Sequence, residues 1–224
     1  MPREQYQTKL ENLREDVLYM SEVVAEALRA GLDALEQRDA DLGEEVILGD
    51  AEINDLYLDL EGQCTDLIAL QQPVAGDLRF IAASFKIITD LERIADLATN
   101  LGRYAREGNR EVYPDVDVQR IGDMTLDMLE AAMAAYERDD VDGCYAVAEM
   151  DDELDRLCET ASDVVVRDLI TRDELDADED IEMTMQNVSR LLLTIRDLER
   201  VGDHAVNIAA RSLYMIENDD ELLY

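Results

Sequence analysis

The chain has no tryptophan, only two phenylalanines, three prolines, three cysteines and one histidine in 224 residues. Each scarcity excludes something. Few helix breakers leave long stretches uninterrupted, as helices prefer. Cys64, Cys144 and Cys158 are odd in number and far apart, which speaks against a disulfide framework or a C-x-x-C metal site and reads as buried structural thiols. One histidine and no E-x-x-H exclude the ferritin-like di-iron pattern. No His/Ser/Cys constellation supports a hydrolase. No run of 18 apolar residues is present, and the opening MPREQYQTKL lacks the apolar core of a signal peptide. The expectation is a soluble, cytoplasmic protein, peripheral to the membrane at most.

Lysine is nearly missing too. Lys9 and Lys86 stand beside 18 arginines and 55 acidic residues, giving a formal charge of −35. Such a field repels nucleic acid and anionic lipid, so no nucleic-acid partner is expected. The acidic residues are spread along the chain, a balance that resembles the cytoplasmic proteins of salt-loving microbes, archaea among them, where concentrated salt screens self-repulsion.

What is present is a fourteen-residue stretch that occurs twice. ITDLERIADLATNL runs from Ile88 to Leu101 and IRDLERVGDHAVNI from Ile195 to Ile208, with eight positions identical. Ile87, Leu91, Ile94, Ala98 and Leu101 step by three or four and form the buried stripe of a helix. Glu92, Asp96 and Asn100 lie one position further round, as do Glu199, Asp203 and Asn207 in the second copy. With a quarter of the chain acidic, a lone E-x-x-x-D carries no information. The repetition of D-L-E-R-x-x-D-x-A-x-N in one apolar register does. Like charges at i, i+4 cost an isolated helix about 0.2–0.5 kcal/mol, which a bound cation would offset.

The periodicity predicts six long helices. They run from about Gln5 to Gln37, from Asp41 to Gln71, from Pro73 to Gly108, from Asp115 to Arg138, from Val141 to Ile170, and from the end of an acidic segment, Thr171 to Asp180, to about Glu217. Asp41 with Glu44 resembles a capping box, and Pro73 suits the first turn of the third helix. A shift of 101 residues aligns Asp39 with Asp140 and Asp50 with Asp151. The two signatures lie 107 apart, so six extra residues fall in the acidic segment. The fold class is therefore all-α, an elongated pair of tandem antiparallel three-helix bundles over residues 1–108 and 114–224, set end to end as a rod.

The second helix of each half supplies a facing pair, Asp50 with Asn54 and Asp151 with Asp155. Antiparallel packing against the signature helix lets these pairs converge with Glu92/Asp96 and Glu199/Asp203 on a metal. All-oxygen ligation suits Mg²⁺, Ca²⁺, Mn²⁺ or iron. The competing reading is an exposed, solvated acidic face. His204 beside Asp203 reads as a packing or supporting residue, because consecutive helix residues point about 100° apart. Arg93 and Arg200 read either as partners of nearby carboxylates or as phosphate or partner contacts.

QQPVAGDLR at Gln71 to Arg79, D-x-x-I-N at Asp50 to Asn54 paired with D-x-x-L-D at Asp151 to Asp155, and RDLERVGDHAVNIA at Arg196 to Ala209 together resemble the PhoU family, over essentially the whole chain. The resemblance implies tandem three-helix bundles whose E(D)xxxD motifs hold metal ions, often multinuclear iron clusters, with Mg, Mn or Zn as alternatives. By position Glu199, Asp203, Asp151 and Asp155 carry that site. Glu92, Asp96 and Asp50 are its first-half counterparts, and Asn54, Asn100 and Asn207 occupy ligand-like positions with weaker neutral oxygens, so the first-half site is expected to bind more weakly. The resemblance further implies a homodimeric, non-enzymatic adaptor that restrains phosphate uptake, acting on the phosphate ABC transporter through its ATPase subunit and on a phosphate-responsive signalling protein. The alternatives are a metal-free helical interaction module and a carboxylate-bridged metalloenzyme.

Overall fold

The computed structural model describes residues 3–70, 73–107, 116–171 and 178–222. Six helices form among them: α1 Arg3–Gln37, α2 Ala40–Leu70, α3 Ala75–Glu107, α4 Val118–Arg138, α5 Val141–Thr171 and α6 Asp178–Glu217. Among the described residues there is no strand. The expected starts at Gln5, Val141 and Asp41 and the stops at Gln37, Arg138 and Glu217 agree to within two residues. Gln71, most of the connection before Pro114, Asp115 and the acidic segment over 172–177 lie outside the described residues.

The turns between α1 and α2 and between α4 and α5 are built alike. Arg38 and Asp139, 101 residues apart, are both left-handed, at φ 54° and 53°. In each turn the next amide reaches back to close the preceding helix, Asp39 to Ala34 and Asp140 to Ala135, both at 3.0 Å. That aspartate then caps the following helix. Asp39 Oδ1 accepts from the amides of Asp41 and Leu42, and Asp140 Oδ1 from that of Gly143. The cap of α2 is thus Asp39 and not Asp41, because the left-handed residue at 38 already turns the chain and leaves 39 as the first residue with free amides ahead of it. Pro73 lies just outside α3 rather than in its first turn, and the Val74 carbonyl accepts the first helical bond, from Leu78.

Within each half the three helices pack on one another, and the halves meet through α3 against α6 and α1 against α4. Both contacts are antiparallel. Arg14 near the start of α1 reaches Asp139 at the end of α4, while Gly122 near the start of α4 receives Leu32 from the end of α1. Asn100 of α3 meets Asp197 of α6, and Asp90 meets His204. The halves therefore lie side by side, related by a local two-fold, and not end to end. The molecule is elongated because its helices are: 35 residues of α1 span about 52 Å.

Side-by-side packing follows from α3. It buries Ile87, Ile88, Leu91, Ile94, Ala95, Leu97, Ala98, Thr99 and Leu101, most of its circumference rather than one stripe. One apolar core runs through both halves. Gly43 and Gly102 let α2 and α3 touch backbone to backbone: a Cβ on Gly102 would lie 2.7 Å from the Gly43 carbonyl oxygen. This holds α2 against the signature helix and brings Asp50 beside it.

Candidate functional site

In the second half, α5 and α6 bring Asp151, Asp155, Glu199 and Asp203 together. Asp151 is half-buried and Asp155, Glu199 and Asp203 are exposed, so the cluster opens to solvent. Partial desolvation comes first in raising the carboxyl pKa of Asp151, Glu199 and Asp203, and the neighbouring carboxylates come next. Asp151 is pushed up to about 6, with Asp155 the strongest charged neighbour and Asp203, Asp152 and Glu199 adding to it. Asp155 likewise heads the charged neighbours that raise Glu199 and Asp203, while Arg196 opposes the shift at Glu199, and His204 and Arg200 oppose it at Asp203. The negative charge is therefore incompletely neutralised by protein cations.

Asp151 Oδ1 is buried without a hydrogen-bond partner. It lies over Gly202, where an added Cβ would stand 3.4 Å from it and collide with Leu154. The glycine thus brings α5 onto α6 at the level of the cluster. Cys158, two turns along α5 from Asp151, sits under the carboxylates. Burial and then Glu199, Asp155, Asp151 and Asp203 push its thiol up to about 12, so in the metal-free protein it is a neutral floor to the cluster.

The first half differs. Both oxygens of Asp50 are engaged, Oδ2 by the Asn54 amide at 2.8 Å and Oδ1 by the Thr99 hydroxyl at 3.5 Å. Arg93 bridges Asp96 at 3.3 Å and Glu92 at 3.5 Å. Burial, Asp96 and Asp50 raise Glu92, with Arg93 and His204 opposing. Here protein groups already supply what a cation would.

Asn100 and Asn207 are not part of either cluster. The Asn100 amide donates to Asp197 across the seam at 3.1 Å, and the Asn207 amide donates to Asp90 at 3.5 Å. Their register places them on the acidic stripe, but their amides turn to the other half, Asn100 from a half-buried position and Asn207 from an exposed one. Asp90 and Asp197 are the seam positions that pattern reading missed, although both are identical in the two signatures and belong to neither stripe. Asp197 is buried and also accepts from the Tyr104 hydroxyl at 2.8 Å. His204 turns its Nδ1 to Asp90 across the seam, the supporting contact expected of it.

An oxygen-rich, under-neutralised cluster with an orphaned buried oxygen fits a hard or intermediate cation. Among the described residues, no three His, Cys, Asp or Glu side chains are disposed to enclose one ion as they stand. A metal here would need side-chain rotation or water ligands to complete its shell.

The family model described as "PhoU domain" matches residues 17–105 and again 118–212, once in each half. The chain belongs to the PhoU family. It is 32% identical over 97% of its length, and 82% of the relative's, to a phosphate-specific transport system accessory protein PhoU homolog of Pseudomonas putida. A PhoU homolog 1 of Methanothermobacter thermautotrophicus is 33% identical, over 96% of this chain and 95% of the relative. The crystal structure of PhoU from Pseudomonas aeruginosa superposes with a TM-score of 0.87 at 31% identity, covering 96% of this chain and all of that one. The PhoU repeat thus accounts for the doubled signature, and the two carboxylate clusters occupy equivalent places in it.

Proposed function

We propose that the chain is a regulatory accessory protein of phosphate uptake, a non-enzymatic adaptor that restrains a phosphate ABC transporter through its ATPase subunit and passes the state of uptake to a phosphate-responsive signalling protein. The support is its near-complete alignment with relatives named as accessory proteins of the phosphate-specific transport system. Among the described residues no helix is long and apolar enough to cross a membrane, which suits docking on a transporter's cytoplasmic face. We assign it as a homodimer in solution.

The second-half cluster is the metal site in this reading, and the buried Asp151 oxygen without a donor is the observation that carries it. Asp151, Asp155, Glu199 and Asp203 would hold the ion or a multinuclear iron cluster, with Mg, Mn or Zn as alternative metals. The metal would cancel carboxylate repulsion and tie α5 to α6. The first-half residues Asp50, Asn54, Glu92 and Asp96 would bind more weakly, since their charges already have protein partners. A metal-free helical adaptor is the second reading, favoured by the absence of any enclosing trio of ligands among the described residues.

Elemental analysis of protein purified in high salt without chelator separates the two, with Glu199→Ala/Asp203→Ala alongside. Metal retained by the wild type and lost by the variant supports the site; no metal in either supports the metal-free reading. Affinity capture of the transporter ATPase at low and high phosphate tests the adaptor role independently, and failure to retain that subunit in both conditions would sink it.

A further inference from the structure

We propose that the cleft between α3 and α6 lined by Arg93, Arg103 and Arg200 binds a small tetrahedral oxyanion, with inorganic phosphate as its simplest form. The three arginines share one pocket of about 240 Å³ with Asp96, Leu97 and Asn100. In a protein with 20 basic and 55 acidic residues, such a gathering is the reverse of the prevailing charge.

The side chains converge. Arg93 and Arg103 are ten residues apart, about 15 Å along the helix. Arg93 reaches forward to Asp96, and Arg103 reaches back to the Asn100 oxygen at 2.8 Å. Their heads thus approach one another over residues 96–100. Asn100 lies opposite Asp197, so the antiparallel register brings Arg200 level with Leu97 from the other side. Arg93 is balanced by Asp96 and Glu92, and Arg200 has Asp197 only at 3.9 Å. Among the described residues Arg103 has no carboxylate partner, and its bond is to a neutral amide oxygen.

Guanidinium forks match an oxyanion with several acceptor oxygens and are poorly used by a spherical halide. The volume is below the 300–1,000 Å³ or so usual for drug-sized ligands, which favours a small ion or the phosphate end of a larger one. The site has no twin. The 107-residue repeat places Ala210 where Arg103 stands and His204 where Leu97 stands. The inference goes beyond the adaptor reading and rests on arginine placement alone.

Isothermal titration with inorganic phosphate at fixed chloride tests it, on wild type, Arg103→Gln, Arg200→Gln and Glu199→Ala/Asp203→Ala, each checked for helical content by circular dichroism. One saturable equivalent is expected, competed by sulfate, weakened at least tenfold by either arginine replacement and retained in the carboxylate variant. AMP in place of phosphate distinguishes the source: AMP binding without phosphate binding, lost in the arginine variants, keeps the oxyanion site and assigns it to a nucleotide-borne group. The proposal is overturned by absence of saturable binding of either ligand, by equal binding in the arginine variants, or by loss only in the carboxylate variant, which would place phosphate on a bound metal.

Discussion

His204 Nδ1 of α6 lies 2.9 Å from Asp90 Oδ1 of α3, and this largely buried pair joins the two halves at the centre of their seam. A carboxylate only accepts, so the imidazole proton is on Nδ1. Asp90 also accepts from Asn207. Asp90→Ala strands the half-buried His204 donor, while the exposed Asn207 amide turns to water, and is expected to cost about 2 kcal/mol. Arg29 and Glu130 also bridge the halves, but each is about half exposed. Glu130→Ala should cost well under about 1 kcal/mol. Urea unfolding of the two variants checks the ranking, and equal losses would remove Asp90 from its role.

Glycine replacements should divide sharply by location. A Cβ at Gly102 meets the Gly43 carbonyl oxygen, a backbone atom that moves only if two helices separate. Gly102→Ala is expected to destabilise by about 1–3 kcal/mol. At Gly62 the added Cβ meets nothing within 4 Å, so Gly62→Ala should stabilise by about 0.5–1 kcal/mol through helix propensity. Thermal unfolding in high salt reads both signs.

The three thiols should be silent in the folded protein. Burial is the leading cause of shift at each, and it pushes Cys64 and Cys158 up to about 12 and Cys144 to about 11. The reactive thiolate is then a minute fraction at neutral pH. Titration with Ellman's reagent is expected to give no fast reaction natively and three equivalents after unfolding. A fast native equivalent would show that one of these sites opens.

Helix existence and the pairing of Glu199 with Asp203 were legible because an i, i+4 spacing places two side chains on one helical face whatever surrounds the helix. The repeat offset did the same for Asp151 and Asp155, by carrying a pattern from one half to the other. The seam bonds of Asn100 and Asn207 were not legible, because a stripe says which residues share a face and not what faces them. What faces them is the other half, a tertiary fact. The signal that the halves lie abreast was present in Ala95, Leu97, Ala98 and Thr99, which give α3 buried positions on several sides. The Asp39 cap was missed for a similar reason, since a left-handed arginine at 38 is not written in local propensity.

The second-half cluster makes stability depend on pH in a direction opposite to most acidic residues. Asp151 titrates near 6 in the folded protein, against 3.8 for an ordinary aspartate, because burial and four neighbouring carboxylates disfavour its charge. Between these values the native state holds a proton that the unfolded chain has released. Stability contributed by the group is therefore present at low pH and falls as pH rises toward 6. Glu199 and Asp203 are raised as well and act in the same sense. Asp151→Asn keeps the shape and removes the charge, so the metal-free variant should exceed the wild type at pH 7.5 by about 1–2 kcal/mol, allowing for partial solvent screening, and the difference should shrink toward pH 4.5. Chelator-treated protein unfolded in urea across this range provides the measurement. Adding a divalent metal should then restore the wild type and leave the variant behind, whereas a variant advantage that persists at every pH and in metal would show that Asp151 carries no functional strain.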